Sequence, residues 1–255
     1  MLYRVTLTYH ELVMIPTIIY QTYKSIQPPE EFKSSREMLI QLNPTHTYIY
    51  LNDDDAIQFI RDHYGTDIMN SYLKINPIYG PARADLLRYL LIYETGGAYF
   101  DIKSAATFPL NTIINPTDRY ILSKWSIPYN IKYDELCNVT NPMGYEYQNW
   151  HIISEPNHPI LEQTINDVIE NINYPYTSNQ FGKRCVLQIT GPIAYTKAIY
   201  KITDTTSYRV LSDDIQCGLC YNTLGNTPYN QGHVHIVKNH YSTSKEPIIL
   251  PHQVS

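Results

Sequence analysis

The chain has 255 residues, 43% of them hydrophobic and 17% charged, and a formal net charge of -5 at pH 7. This length and composition are those of an ordinary folded protein with a sizeable core, and they exclude a disordered or fibrous chain. The negative net charge argues against a nucleic-acid backbone as partner, because proteins that bind it carry basic patches, but a nucleotide ligand needs only a few local donors.

Short apolar runs alternate with helical stretches along the chain, which is typical of an α/β fold with a mainly parallel sheet. We predict a first strand at residues 17–21, entered through Pro16. A helix then opens at Pro28-Pro29-Glu30-Glu31 and ends before Asn43-Pro44. Proline and acidic residues suit a first helical turn, because that turn has unpaired N–H groups and the positive end of the helix dipole.

A second strand is predicted at residues 48–51, and it runs into Asn52 and the acidic triplet 53–55. We interpret this triplet as part of the cap of a helix over residues 56–63, because short polar side chains satisfy the free N–H groups of a first helical turn. A metal-binding acidic cluster is the alternative.

The most regular predicted helix begins at Gly80-Pro81, has a leucine-rich middle over residues 86–91 and stops at Gly96-Gly97. A short strand follows at residues 98–102. The two glycines end the helix tightly and leave room for a ligand to approach the backbone. Asp101 lies near the end of the strand, where the ligands of open parallel sheets bind.

The second half of the chain contains further predicted elements and two polar loops. Strands are predicted at residues 119–123, 150–154 and 233–237, and helices over residues 158–171 and from Gly191-Pro192 onwards. The tyrosine-rich loops 130–149 and 174–183 are candidates for binding an acceptor.

No apolar run approaches the roughly 20 residues that cross a bilayer. Residues 1–14 lack the apolar core of a secretory signal peptide, and four cysteines are few for a secreted protein of this size. We therefore expect no integral membrane segment and a cytoplasmic location, in a bacterium or, for a viral protein, in its host. The oligomeric state is left open.

Asp85 and Arg88 lie three positions apart on the leucine-rich helix, which places both on one face, apart from Leu86 and Leu90. Two carboxylates and a guanidinium can therefore converge where Asp101 lies. A departing diphosphate needs a basic side chain or a bound cation, and sugar hydroxyls need acceptors. The alternatives are a surface ion pair for Asp85 and Arg88 and a turn-capping role for Asp101.

Two runs in this region resemble the sugar-binding region of glycosyltransferase family 32: Pro-Ala-Arg-Ala-Asp-Leu-Leu-Arg-Tyr at 81–89 and Gly-Gly-Ala-Tyr-Phe-Asp-Ile-Lys at 96–103. The family includes the yeast initiating α-1,6-mannosyltransferase and many capsular polysaccharide enzymes, and it is similar to the catalytic core of clostridial glucosylating toxins. Further matching pieces lie at residues 15–22, 43–53, 146–159, 190–192 and 239–241.

The resemblance implies one glycosyltransferase domain over residues 1–255, with a GT-A-like Rossmann-type sandwich whose mainly parallel sheet is flanked by helices. The nucleotide-sugar half would extend over about 15–125 and the acceptor half over about 126–255. A nucleoside diphosphate sugar, UDP- or GDP-linked, and a glycan acceptor are the implied partners.

The resemblance also assigns roles to the residues around the motif. Asp85 and Arg88 would contact the hydroxyls of the donor sugar, and Arg88 also the phosphates. Tyr99 would lie beside the nucleotide. Asp101 would hold the ribose or the sugar, directly or through Mn²⁺ or Mg²⁺.

Other matching residues are assigned to the edges of the same site. Gln21 and Thr22 would lie under the base or ribose, and Gly97 would line the nucleotide site. His240 would reach the metal or the diphosphate, with a surface imidazole as the alternative. Glu146, in a candidate acceptor loop, is the candidate for a carboxylate that assists the acceptor.

The chain departs from the family motif Asp-x-Asp, because it reads Asp101-Ile102-Lys103. A protonated lysine offers three donors and no acceptor, so it cannot bind a cation. Two interpretations stay open. Either the Lys103 ammonium replaces the metal as the counter-charge of the leaving diphosphate, or Lys103 points away and Asp101, His240 and the phosphates hold the metal.

The implied reaction is transfer of a hexose from a nucleoside diphosphate sugar to a sugar or glycan hydroxyl, with retention of configuration. A glycan- or nucleotide-sugar-binding protein without turnover is the alternative, and Lys103 is the feature that favours it. A sugar-nucleotide pyrophosphorylase is disfavoured, because such enzymes need a glycine-rich phosphate loop and residues 15–27 contain no glycine.

Overall fold

The computed structural model describes residues 14–124, 146–174, 181–211, 217–224 and 243–250. In chain order the strands are β1 (Ile18–Thr22), β2 (Thr47–Leu51), β3 (Gly97–Phe100), β4 (Ala105–Ala106), β5 (Tyr120–Ser123), β6 (His151–Ser154), β7 (Arg209–Leu211) and β8 (Leu219–Cys220). The helices are α1 (Lys33–Leu42), α2 (Asp53–His63), α3 (Thr66–Lys74), α4 (Gly80–Thr95), α5 (Leu110–Ile113), α6 (Pro159–Asn173), α7 (Gly182–Ile189) and α8 (Pro192–Tyr200).

Six strands form the central sheet in the order β2-β1-β3-β6-β5-β7. The pairs β1–β2, β1–β3 and β5–β7 are parallel, while both pairings of β6 are antiparallel. The predicted α/β class with a mainly parallel sheet is therefore confirmed, with β6 as the antiparallel strand. A second sheet of two short strands pairs β4 with β8.

Helices cover both faces of the central sheet. Alternate side chains of each strand point to opposite faces, and apolar residues on both faces need a covering layer. On β3, Tyr99 packs into one apolar cluster together with residues of α4 and α6. Its neighbours Ala98 and Phe100 pack into a second cluster, which includes Leu39 of α1 and Leu110 of α5. The expected layering, a sheet flanked by helices, is confirmed.

The start of α2 shows how the local sequence fixes an element. The Asn52 side-chain oxygen accepts hydrogen bonds from the backbone N–H groups of Asp54 and Asp55, at 2.8 and 3.2 Å. The Asp55 carboxylate accepts in turn from the Asn52 N–H at 3.0 Å, which completes a reciprocal cap. The capping interpretation is confirmed, and the helix begins at Asp53 rather than at residue 56.

The helix α4 is buried over most of its circumference. Nine of its residues are buried, namely Ala82 and the eight consecutive residues from Asp85 to Ile92. Pro81 stands in its first turn, and Gly96, with φ of 65°, ends it. Because the helix packs against β6, α2 and α6, the charged side chains of Asp85 and Arg88 are enclosed by protein instead of facing solvent. Asp85 and Arg88 therefore do not form the surface ion pair that was the alternative.

Gly97 is needed for packing between strands. Its φ is 99°, and a Cβ atom there would lie 2.7 Å from the Ile18 carbonyl oxygen of β1. The sequence predicted room for a ligand beside Gly97, but on the side where a Cβ atom would point the backbone of β1 fills the space. The close approach brings β1 and β3 together as a parallel pair.

Some elements differ from the sequence predictions. The helices α3 and α7 and the β4–β8 pair were not predicted, and β3 ends at Phe100, so Asp101 directly follows the strand. The predicted strand 233–237 lies outside the described residues, as does most of both candidate acceptor loops. Among the residues that the structure describes, no helix is long and apolar enough to cross a membrane.

Candidate active site

Asp101 stands in a tight turn that follows β3 at the rim of the sheet. Its N–H donates to the Trp150 carbonyl at 2.8 Å, and its own carbonyl accepts from the Ser104 N–H at 2.8 Å. The Gln21 amide donates to the carbonyls of Asp101 and Ser104, at 3.0 and 3.2 Å. The backbone that carries the Asp101 carboxylate is thus fixed by β1 and by the residue preceding β6.

Gln21 itself is fully buried, and its amide oxygen accepts from the Tyr48 hydroxyl at 2.8 Å. Both ends of the side chain are engaged by protein. In this structure Gln21 positions the turn of Asp101, and its place under the base or ribose stays a prediction.

The Arg88 guanidinium reaches Asp101 from α4, with Nη2 3.0 Å from Asp101 Oδ1 and 3.2 Å from Asp85 Oδ1. Its Nε donates to the Ala84 carbonyl and its Nη1 to the Asn149 carbonyl, at 3.1 and 2.6 Å. Burial opposes the charge of Arg88, but the Asp101 carboxylate and other neighbours raise its pKa above the usual value. Every guanidinium nitrogen has a protein acceptor.

Arg88 is only 4% exposed, so its main partners are the two carboxylates and not solvent. It orients Asp101 and compensates the buried charge of Asp85. Direct contact of Arg88 with a sugar or a phosphate stays a prediction.

Asp85 is the most enclosed carboxylate of the group. Its Oδ1 accepts from the Asn149 amide and its Oδ2 from the Thr190 hydroxyl, both at 3.0 Å. Burial raises the pKa of Asp85 to about 6, and Asp101 adds to this effect, while Arg88 and the two hydrogen bonds oppose it. Asp85 therefore ties α4 to the ends of two later segments, and its contact with a donor sugar stays a prediction.

Tyr99 and Thr22 form the wall behind Asp101. The Tyr99 hydroxyl lies 3.4 Å from Asp101 Oδ1 and 3.2 Å from Thr22 Oγ1, and the Arg88 guanidinium lies 4.7 Å from the Tyr99 ring centroid. Burial raises the pKa of Tyr99, so the phenol stays neutral. Tyr99 is 1% exposed, which makes it a support for Asp101 and Arg88.

Lys103 completes the group on the side of Asp101 that Arg88 leaves open. Its Nζ lies 3.5 Å from Asp101 Oδ2 and 4.3 Å from the centroid of the Tyr221 ring. Burial alone would lower the pKa of Lys103, but Tyr221 and Asp101 outweigh it, so the pKa is raised and the ammonium stays charged. The interpretation in which Lys103 points away from Asp101 is wrong.

Tyr221 is one of two site residues that the sequence did not predict. It lies directly after β8, whose pairing with β4 brings residues 217–224 alongside residues 103–106. Asn149 was missed as well, although it precedes a predicted strand. These contacts could not be predicted because the residues are far apart in the sequence. No local pattern links Tyr221 to Lys103, which lies 118 positions earlier.

The metal-binding hypothesis can be tested against this donor set. Both Asp101 oxygens face cations, and the second position of the motif carries Lys103. In the ranges that the structure describes, no group of three or more His, Cys, Asp or Glu side chains could hold a metal ion. Mn²⁺ and Mg²⁺ bind through free carboxylate oxygens, and both oxygens of Asp101 already pair with Arg88 and Lys103, so the described residues around Asp101 do not fit a divalent cation.

Two further candidates are incompletely placed. His240 lies outside the described residues, and its assignment to metal or diphosphate stays a prediction. Glu146 is described and buried, at 8% exposure, within the short segment that leads to Asn149. Its role as an assisting carboxylate stays a prediction.

The arrangement matches a known family. A family model described as the glycosyltransferase sugar-binding region containing the DXD motif matches residues 29–120, which include Asp85, Arg88 and Asp101. Over residues 29–120 the chain is therefore similar to this glycosyltransferase family. The resemblance to family 32 is thereby confirmed, and Lys103 occupies the position of the second aspartate in the motif.

Curated proteins to which the chain is similar include fungal enzymes. The chain is 27% identical to inositol phosphoceramide mannosyltransferase 2 of Schizosaccharomyces pombe over 71% of its own length and 45% of the relative. It is 28% identical to the initiation-specific α-1,6-mannosyltransferase of the same organism, over 72% and 48%. A mannosyl phosphorylinositol ceramide synthase of Saccharomyces cerevisiae is 33% identical over 40% and 26%. The chain thus spans less than half the length of these relatives.

Among solved structures, the PaToxG glycosyltransferase superposes on the chain with a TM-score of 0.49 and 16% identity, over 74% of this chain and 70% of that one.

Proposed function

We propose that the protein transfers a hexose from a nucleoside diphosphate sugar to a hydroxyl group of a sugar or sugar-bearing acceptor, with retention of configuration. The observation that carries the proposal is the buried Asp85–Arg88–Asp101 network at the end of β3, inside the family-matched residues 29–120. It holds one carboxylate, Asp101, at the rim where ligands of such sheets bind.

The proposed reaction breaks the bond between the anomeric carbon and the diphosphate oxygen, and the diphosphate leaves with the electron pair. The acceptor oxygen forms the new bond to the same carbon, and its proton passes to an oxygen of the departing diphosphate. No dedicated base is needed. The protein's contribution is orientation of the donor and stabilisation of the negative charge that develops on the leaving group.

Asp101 is the group that this chain presents for orienting the donor. Its side chain is 20% exposed, whereas those of Asp85 and Arg88 are 7% and 4% exposed. An ionised carboxylate accepts hydrogen bonds from sugar or ribose hydroxyls. Because Arg88 and the turn hold the carboxylate in one position, it can align the donor without reorganising.

Mannose is the hexose we propose first, because the curated relatives are named as mannosyltransferases. A donor panel of GDP-mannose, UDP-glucose, UDP-galactose and UDP-GlcNAc separates this choice from the others. The acceptor panel includes inositol phosphoceramide and short mannosides, which the relatives' names suggest. We do not assign the complete activity of the relatives to this chain, because the chain spans less than half the length of each relative.

The decisive experiment compares the wild-type protein with Asp101→Asn in hydrolysis and transfer assays on the donor panel. Asparagine keeps the shape of the side chain but removes the charge that pairs with Arg88 and Lys103. We expect a loss of at least about 100-fold in turnover, in line with removal of one aligned polar group from an active site.

Asp62→Asn, on the exposed surface of α2, is the matched control and should change turnover by less than about threefold. If no donor is turned over in an Asp101-dependent manner while nucleotide sugars still bind, the non-catalytic binding protein becomes the better description.

A further inference from the structure

We infer that Lys103, held by Tyr221, supplies the positive charge that meets the donor diphosphate, so that donor binding and transfer need no divalent cation. The inference rests on the proposed function, because it assigns the counter-charge within that same site. It makes Lys103 a catalytic residue and Tyr221 a positioning residue.

The ammonium of Lys103 lies beside Asp101. Lys103 ends the turn that carries Asp101, and its Nζ lies 3.5 Å from Asp101 Oδ2, at the rim of the sheet. Its side chain is 13% exposed, so it is neither free in solvent nor sealed in the core. An ammonium has three N–H donors, and Asp101 and the Tyr221 side chain account for two of them.

The ammonium is also fixed in place. The Tyr221 ring lies 4.3 Å from Nζ, a distance at which a cation is attracted to an aromatic face. The Lys103 carbonyl accepts from the N–H and hydroxyl of Thr223, at 2.9 and 3.2 Å, and the Ser104 hydroxyl donates to the Tyr221 carbonyl at 2.5 Å. The long lysine side chain is therefore ordered before any ligand arrives.

Arg88 and a divalent cation are the other candidates for the counter-charge, and both fit less well than Lys103. All the guanidinium nitrogens of Arg88 already have protein acceptors, and the side chain is 4% exposed. A divalent cation bound at Asp101 would lie close to the charges of both Arg88 and Lys103, which repel it. Lys103 is thus the cation best placed to face a phosphate among the described residues around Asp101.

The chemistry leaves Lys103 unchanged. The anomeric carbon–oxygen bond breaks, the electron pair goes to the diphosphate, and the acceptor proton goes to a diphosphate oxygen. The ammonium keeps its three protons and stabilises the growing negative charge through hydrogen bonds.

The first test needs no variant. Binding of GDP and UDP is measured by calorimetry, and turnover of the best donor is measured in parallel, each in excess EDTA and with added Mn²⁺ or Mg²⁺. We expect dissociation constants and rates that differ by less than threefold between these conditions. An improvement of more than tenfold by either metal would overturn the inference.

The second test uses substitutions at Lys103, all assayed in EDTA. Lys103→Met keeps the length of the side chain and removes the charge, and we expect diphosphate affinity to fall at least 30-fold. Lys103→Arg should recover most of it, and Lys103→Asp, which restores the family motif, should bind only with Mn²⁺. Lys201→Met, an exposed lysine of similar charge on another surface, is the control.

Tyr221 is tested by the contrast of two variants. Tyr221→Phe removes the hydroxyl that hydrogen-bonds Lys103 but keeps the ring face, and we expect it to bind GDP or UDP in EDTA within threefold of wild type. Tyr221→Leu removes the ring and should weaken binding about tenfold, with a rise in KM larger than the fall in kcat. If Tyr221 had a purely structural role, each variant would lose nucleotide affinity in proportion to its loss of thermal stability. Melting curves of both variants measure that loss.

The outcomes separate the two levels of the argument. Turnover that requires a metal, or Lys103→Met that still binds within threefold of wild type, refutes the inference and leaves the proposed function intact. Failure of every nucleotide sugar to bind with or without metal refutes the proposed function, and the inference with it.

Discussion

The buried carboxylate of Asp85 makes the stability of the protein depend on pH in a way that one substitution can isolate. Its pKa is raised to about 6 by burial, whereas an unfolded aspartate has a pKa of about 3.9. The folded protein therefore binds a proton at Asp85 more tightly than the unfolded chain does. The free energy of unfolding contributed by this group rises as the pH falls from 7 towards 4, and it is lost again as the pH rises through 6.

The size of the effect follows from the two pKa values. Between pH 7 and pH 5 the folded group becomes largely protonated while the unfolded group stays ionised, which stabilises the protein by about 1 kcal/mol. The groups that face Asp85 are Arg88, Asp101, Asn149 and Thr190, and of these only Asp101 carries a second negative charge. Arg88 stays charged throughout this range.

Asp85→Asn removes the titration and keeps the shape. The amide oxygen can take the place of Oδ1, which faces Arg88 and Asn149, and the amide nitrogen can donate to Thr190. We expect the stability difference between wild type and variant, measured by urea unfolding, to shift by about 1 kcal/mol in favour of wild type from pH 7 to pH 5.

Thr190→Val is the control for this experiment. It deletes a hydrogen bond to Asp85 but leaves the carboxyl in place, so it should lower stability at both pH values and keep the pH-dependent gain. A stability difference between Asp85→Asn and wild type that is flat from pH 7 to pH 5 would refute the assignment of a raised pKa to Asp85.

Two further predictions concern the frame around the site. Gly97→Ala should lower stability by about 3 kcal/mol in urea unfolding, because its φ of 99° and the Ile18 oxygen at 2.7 Å both oppose a Cβ atom. Gly80→Ala, where nothing lies within 4 Å, should be neutral, and equal losses in both variants would contradict the packing argument. Asn52→Ala should cost about 1 kcal/mol through loss of the α2 cap, and Asn52→Asp should recover most of it; a loss that Asn52→Asp leaves unchanged would argue against the cap.

The elements that the sequence predicts correctly are those set by local chemistry. Pro81 in the first turn of α4 and Gly96 at its end act within a few residues, and the predicted limits of α4 agree with the structure. The acidic residues before residue 56 were correctly linked to the start of α2, although that helix begins three residues earlier than predicted. The same holds for β1 and β2, which differ from the predicted strands by one residue at their ends.

The direction of β6 and the burial of α4 could not be predicted in this way. A strand's apolar residues do not specify whether the chain returns parallel or antiparallel, since that depends on the connection before it. Arg88 lies off the leucine stripe of α4, yet it is buried because β6, α2 and α6 enclose the helix from several sides.

In the site, too, local features were predictable and contacts between distant segments were not. Asp85, Arg88 and Asp101 were predicted to converge from their spacing and from the resemblance, and the two salt bridges of Arg88 bring them together. The supporting role of Gln21 and the contact of Lys103 with Tyr221 depend on pairings between distant segments. These follow from tertiary packing, which no window of the sequence contains.

The pairing of β4 with β8 has a consequence for the order in which the protein folds. The strands β1, β2 and β3 come from the first part of the chain, but Tyr221 reaches Lys103 only after more than a hundred intervening residues have been arranged. Contacts of such sequence separation form late, because the loop-closure entropy must be overcome first. A partly folded chain can therefore contain Asp101 at the end of its strand and still lack an ordered ammonium beside it. With Lys103 in the role inferred above, we expect nucleotide affinity to report completion of folding.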